Sequence, residues 1–149
     1  MQYNVEYHVV NMAGATIVTG KFHDLSHLGL RASVGLMFIV HSLSKFDDST
    51  GGFFSSIGLP SEMAPLIGLL EFVGGILLVM GIMTRISASL LALEMLFVMI
   101  FIKKLQSFSG KNGLELELLA FVILLTLLVL GPGRISISHV VKKLPRFAH

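Results

Sequence analysis

Four stretches of this chain are apolar for long enough to cross a hydrocarbon core, and one of them has a glutamate at its centre. They run near Leu25–Phe46, Pro65–Met83, Ile86–Ile102 and Leu114–Leu130. At about 1.5 Å of rise per residue, a helix over each reaches most or all of a core roughly 30 Å thick. The breakers agree with these limits. "DDSTGG" and "GLPSEMAP" fill the first connection, "TR" makes a tight second one, "SFSGKNG" the third, and "GPGR" ends the fourth stretch. Lipid satisfies no backbone hydrogen bond, so the expected fold is an all-α membrane protein built as a four-helix transmembrane bundle.

Composition supports this reading. Of the 149 residues 54% are hydrophobic and 13% charged, which is far from a soluble globule. A net charge of +2, spread along the chain, gives no footprint for nucleic acid. The absence of cysteine excludes disulfides, thiolate metal sites and iron–sulfur ligation on this chain. The first twenty residues lack the basic start and continuous apolar core of a cleavable signal. The expected organisation is a polar N-terminal segment over 1–24, a membrane domain over 25–131 and a basic tail over 132–149. Within the first segment "YNVEYHVV" alternates weakly, as a short strand or an interfacial segment would. The tail "VKKLPRFAH" reads as a segment lying on anionic lipid or a docking site for a soluble partner.

Lysine and arginine outside the spans set the orientation. Lys21, Arg85, Arg134, Lys142, Lys143 and Arg146 fall on the side of both termini, against Lys45, Lys103, Lys104 and Lys111 opposite. Both termini are therefore expected to be cytoplasmic, in a multi-pass protein of the cell membrane.

Helical faces sort the charges. On the second span Gly68, Glu71, Gly74, Gly75, Leu78 and Gly81 fall within about 140° of arc. Glycine lets neighbouring backbones approach, so this side is expected to face protein, with Leu69, Phe72, Val73, Ile76, Leu77 and Met80 towards lipid. Glu71 is then packed inward. On the first span Arg31, Val34, Gly35, Phe38, His41, Ser42 and Lys45 share one face. Counted from the cytoplasmic ends, Arg31 lies about 9 Å deep and Glu94 about 12 Å, which predicts a structural ion pair between them. By the same count His41, Lys45, Glu71 and one or both of Glu115 and Glu117 gather in the outer half, with the last two pointing about 200° apart. A charge at the centre of a span disfavours insertion by about 2.5–3.5 kcal/mol, so these groups are expected to pair.

Arg31 with "GLMFIVHSLSKF", then "LLEFVGGILLVMGIMTR", "GLELELL" and "GPGRISIS" resemble the DoxX family of small four-span membrane proteins, over roughly residues 28–138. The family includes the membrane subunit of thiosulfate:quinone oxidoreductase and chains associated with terminal quinol oxidases. The resemblance carries over Arg31, His41, Lys45, Glu71, Arg85 and Glu115. Two departures stand out. Family members often have an aspartate after the serine of the last motif, where this chain offers Ser136 and Ser138, and a histidine near the end of span three, where it has Lys103 and Lys104.

Two functions follow as expectations. In the first, the chain is the membrane subunit of a quinone-linked oxidoreductase, with His41, Glu71 and Glu117 catalytic and Lys45, Glu115 and Arg85 binding. A carboxyl beside an imidazole exchanges protons as a quinone is reduced. A partner subunit would hold any metal or flavin, since no ligand set for either is recognisable here. In the second, the chain is a non-catalytic scaffold or accessory subunit, and the charges serve assembly. Expected partners are the lipid bilayer and other membrane subunits or further copies of the chain. His23 and His27 have a metal-binding spacing without a third ligand apart from Asp24, so interfacial packing is expected there.

Overall fold

The computed structural model describes residues 20–110 and 113–140. Every regular element among them is helical: α1 (Lys21–Leu43), α2 (Asp48–Ser56), α3 (Met63–Met80), α4 (Thr84–Phe97), α5 (Glu115–Leu130) and a short α6 (Ile137–Val140). Two of the helices are long and apolar enough to cross a membrane, α3 and the continuous run Thr84–Ile102. The weakly alternating N-terminal stretch and the second half of the basic tail, 141–149, lie outside the described residues, as do Lys111, Lys142, Lys143 and Arg146 of the charge count.

α1 packs along α3, α3 also along α4, and α4 along α5, with α5 returning to touch α1. The core is formed by Val34 and Phe38 of α1, Leu78 of α3, Ala88 and Leu91 of α4, and Leu124 and Leu127 of α5. Between α1 and α3 the backbones touch. A Cβ added to Gly75 would meet the Gly35 carbonyl oxygen at 2.6 Å, and one on Gly35 would meet the Gly75 carbonyl at 2.7 Å. Gly74 instead makes room for the Leu91 side chain of α4. The glycine face is the buried face of α3, as its spacing predicts, with Leu66, Leu69 and Val73 exposed opposite.

Four boundaries differ from the sequence expectation. α1 starts at Lys21, so the helix extends back into the segment read as a polar preface. The second turn is Gly81–Met83 rather than "TR". Gly81 takes a left-handed conformation (φ 69°) that closes α3 with Ile82 N–H donating to the Leu77 carbonyl at 3.0 Å, and Thr84 and Arg85 open α4. The first connection contains a helix, α2, despite Gly51 and Gly52. Asp47 caps it by accepting from Ser49 N–H at 3.0 Å, and Phe54 buries itself beneath it. Finally, "GPGRISIS" is part of the packed body, with Ser136 and Ser138 buried and hydrogen-bonded to each other at 3.2 Å.

Candidate functional site

Glu71 and Glu94 lie on opposite arms of the α3–α4 hairpin. Each is ten residues from its end of the turn, Gly81 or Thr84, so a rise of about 15 Å along antiparallel helices brings them level. Both face inward, 2% and 9% exposed, and they neighbour one another. One oxygen of each carboxyl, Oε2, is buried without a hydrogen-bond partner. Their cation is Lys45, whose Nζ lies 3.7 Å from Glu71 Oε1. Lys45 reaches it from about one turn away along α3, because its Cβ packs on Gly68, where a side chain would collide.

These groups border a cavity of about 170 Å3. Phe38, Phe54, Ile67, Met95 and Phe97 supply apolar walls, while His41, Lys45, Glu71, Glu94 and Glu117 supply the charged and titratable groups. An apolar cavity of about 150 Å3 is enough to hold benzene, so this one has the dimensions of a single ring. The far wall depends on an irregularity in α4. From Val98 to Ile102 the helix widens to a π-turn, with Lys103 N–H donating to the Val98 carbonyl at 2.9 Å. Such insertions recur at functional sites because they re-aim the residues that follow. Here Phe97, Val98 and Ile102 line the cavity, and Lys103 extends to α5, its Nζ 2.7 Å from Glu117 Oε2 and also donating to the Gly113 carbonyl.

The expected residues divide accordingly. Glu71, Lys45, His41 and Glu117 meet around one cavity, with His41 on the exposed side. Of the two glutamates opening α5, Glu117 lines the cavity and Glu115 is exposed away from it. Arg85 is at the other end of the molecule, its guanidinium beside Gly131. The expected Arg31–Glu94 pair is not among the ion pairs of the described residues. Arg31, 1% exposed, donates from Nη1 to the Pro132 carbonyl and from Nη2 to the Ile135 carbonyl at 2.7 Å. Its guanidinium lies against Gly81, so Arg31 is level with the end of α3, about 15 Å from the layer of Glu94. A depth measured from Leu25 places Arg31 too far in, because α3 and α5 end level with Arg31 while α1 continues beyond them, covered there by the segment around Gly133.

Glu94 is the cavity residue that sequence reasoning assigned elsewhere. Its equal distance with Glu71 from the intervening turn was the available signal. His27 is buried with its ring against Gly133 and Nε2 unpartnered, while His23 is exposed and turned to Asp24, Nδ1 to Oδ1 3.9 Å. Among the described residues no three metal-ligating side chains converge.

Known proteins place the chain by sequence. The DoxX family model matches residues 26–104, just over half of the chain and all of α2, α3 and α4. A Bacillus subtilis protein named "Putative oxidoreductase CatD" is 40% identical over 109 residues, covering 72% of this chain and 81% of the relative. An uncharacterized membrane protein of Mycobacterium tuberculosis is 32% identical, over 76% of this chain and 80% of its own length. The Escherichia coli inner membrane protein YqjF is 29% identical, over 83% of this chain and 97% of its own. No solved structure matches the chain. Family match and relatives accord with the apolar helices: this chain belongs to the DoxX family of membrane proteins.

Proposed function

We propose that this chain is an integral membrane subunit of a quinone-linked oxidoreductase, and that the cavity bordered by Glu71 and Glu94 is its quinone and proton site. α1, α3, α4 with its π-turn, and α5 form four spans with both termini cytoplasmic, which puts the cavity in the extracytoplasmic half. The observation that carries the reading is the pair of buried carboxyls, each with an unpartnered oxygen, beside a ring-sized space. Buried polar atoms are nearly always satisfied, and ionisable groups inside a membrane mark sites of function. The name of the Bacillus subtilis relative points to the same class of chemistry.

The residues fit a quinone headgroup. Apolar walls accept the ring, and Glu71 and Glu94 offer carboxyl oxygens for exchange of a proton with a ring oxygen. Lys45 balances one negative charge whichever carboxyl carries it, and His41 on the exposed side links the site to bulk protons. Reduction of a quinone takes up two electrons and two protons. This chain handles the protons, and the electrons arrive from a partner subunit carrying the redox group.

A scaffold reading has its own support: Lys45–Glu71 ties α1 to α3, and Lys103–Glu117 ties the end of α4 to α5. Titrating the purified chain with a short-chain quinone separates the two. On the oxidoreductase reading the quinone binds, and Glu94→Gln weakens it about tenfold, as expected for loss of a buried proton-exchanging hydrogen-bond partner, while the protein still folds. Absence of quinone binding to well-folded wild-type protein, with Glu94→Gln instead lowering partner association, decides for the scaffold. The topology is read by placing single cysteines, absent from the natural chain, at residues 58 and 110 and testing their labelling from outside intact cells.

A further inference from the structure

At the opposite end of the molecule from the cavity, a groove of about 500 Å3 runs between α1, the last turn of α3 and residues 134–137. Among the described residues its polar side chains are Arg31, Arg134 and Ser136, with no carboxylate. Arg31 is a fixed cation there. Both its terminal nitrogens are held by the Pro132 and Ile135 carbonyls, and its buried Nε has no partner. Arg134 is exposed at the rim, and Arg85 lies close by against Gly131, so three arginines surround one short turn. The remaining walls, Leu28, Val79, Met80, Ile135 and Ile137, are apolar.

We propose that this groove binds an anionic phospholipid, its phosphate on the exposed Arg134 with the buried charge of Arg31 beneath it, and one acyl chain along Leu28, Val79, Met80 and Ile137. The exposed guanidinium fork of Arg134 matches phosphate oxygens, the carbonyls around Arg31 leave its net charge in place, and no carboxylate among the described residues lines the groove to compete. The groove is level with the C-terminal ends of α3 and α5, where helices of a membrane protein leave the hydrocarbon and meet headgroups. A free anion would have no use for five apolar walls. A lipid uses both halves. The inference rests on the chain being a membrane protein and is independent of any quinone chemistry at the other end.

The test is native mass spectrometry of the intact chain released from nonionic detergent, with phosphatidylglycerol, phosphatidylcholine or inorganic phosphate added. The expected result is one retained phosphatidylglycerol per chain, in preference to phosphatidylcholine and not displaced by equimolar phosphate. Arg134→Gln, at an exposed position, should weaken retention about fivefold, the worth of one basic residue near an anionic lipid. Ile137→Trp, which fills the acyl path without touching the charge, should weaken it too. Equal retention of phosphatidylcholine, full displacement by phosphate, or unchanged retention in Arg134→Gln would each overturn the proposal.

Discussion

Arg31 and Glu71 are buried to nearly the same degree on two helices that touch along their length, and each keeps one buried atom without a partner, Nε and Oε2, yet what surrounds the rest of each group differs. Around Arg31 the chain bends itself to suit the charge. The segment after α5 brings two carbonyls to its terminal nitrogens, and α3 ends at Gly81 because a side chain there would collide with it. The C-terminal ends of two helices add the negative ends of their dipoles. Around Glu71 nothing comparable happens. One lysine stands 3.7 Å away, a second carboxyl faces it, two oxygens have no partner, and the space beside them is open. A charge whose neighbours are arranged to satisfy it fixes a fold. Buried carboxyls beside a cavity, without such a cradle, are what the proposed function rests on.

The largest effect tests what both sites share. Gly35 and Gly75 bring α1 against α3, and that contact sets Arg31 beside Gly81 and Lys45 beside Gly68. In Gly75→Leu the new side chain meets backbone and cannot be relieved by a rotamer change. The expected cost is about 3 kcal/mol or more, read as loss of folded protein in mixed-micelle denaturation. If the variant is as stable as wild type, the helices are not in contact there and both sites dissolve as described.

Arg31→Met should come next. It keeps most of the packed length but leaves the Pro132 and Ile135 carbonyls without donors, at an expected cost of about 1–3 kcal/mol. Glu94→Gln sharpens the contrast, because it exchanges a buried carboxyl for an amide of nearly the same shape without creating a hole. Stability should stay within about 1 kcal/mol of wild type, or rise, in the same denaturation series. Should Glu94→Gln prove the more damaging of the two, the carboxyl pair rather than the cradle around Arg31 holds the fold.

How much of this contrast was visible beforehand depends on which interaction set it. The inward face of α3 follows from glycine spacing alone, and its buried residues match that spacing. Glu71, Lys45 and His41 were legible as one group because each lies on an inward or cavity-side face at similar depth. Glu94 was not, because the apolar boundaries Met83 and Ile86 misplace the turn, which is Gly81–Met83 with Thr84 opening α4, and so set Glu94 shallower than Glu71. The hold on Arg31 was hidden for a different reason. Its partners are backbone carbonyls more than a hundred residues away, which carry no side-chain signature. The π-turn at Val98–Ile102 has no breaker residue either, and arises where α4 must deliver Lys103 to Glu117.

Lys103→Ala examines that delivery. The pair is partly exposed, its side chains 25% and 13% accessible, so the stability cost should be about 1 kcal/mol or less. Quinone affinity should fall only a few-fold, because Glu117 borders the cavity without the burial of Glu71 and Glu94. A loss as large as that of Glu94→Gln would move the centre of the site towards α5.

The smallest effect is expected at α2, which covers the cavity from outside through Thr50, Phe53 and Phe54. Its N-terminus is held by Asp47, whose carboxyl is kept below the ordinary aspartate range by the hydrogen bond from the Ser49 backbone. A lowered value in the folded state means that the cap stabilises fully above the ordinary aspartate range and is lost as pH falls through the lowered value. Asp47 is fully exposed, so this contribution is small and local. Asp47→Ala should therefore fray α2 at neutral pH and leave the four long helices intact, visible as faster amide exchange confined to residues 48–56. Acidifying the wild type should reproduce that pattern, while the variant should show no further change over the same range. Exchange spreading into α3 and α4 in the variant would mean that the unsatisfied carboxyls depend on their cover as well as on Lys45, and that the two ends of the molecule differ less than their hydrogen bonds imply.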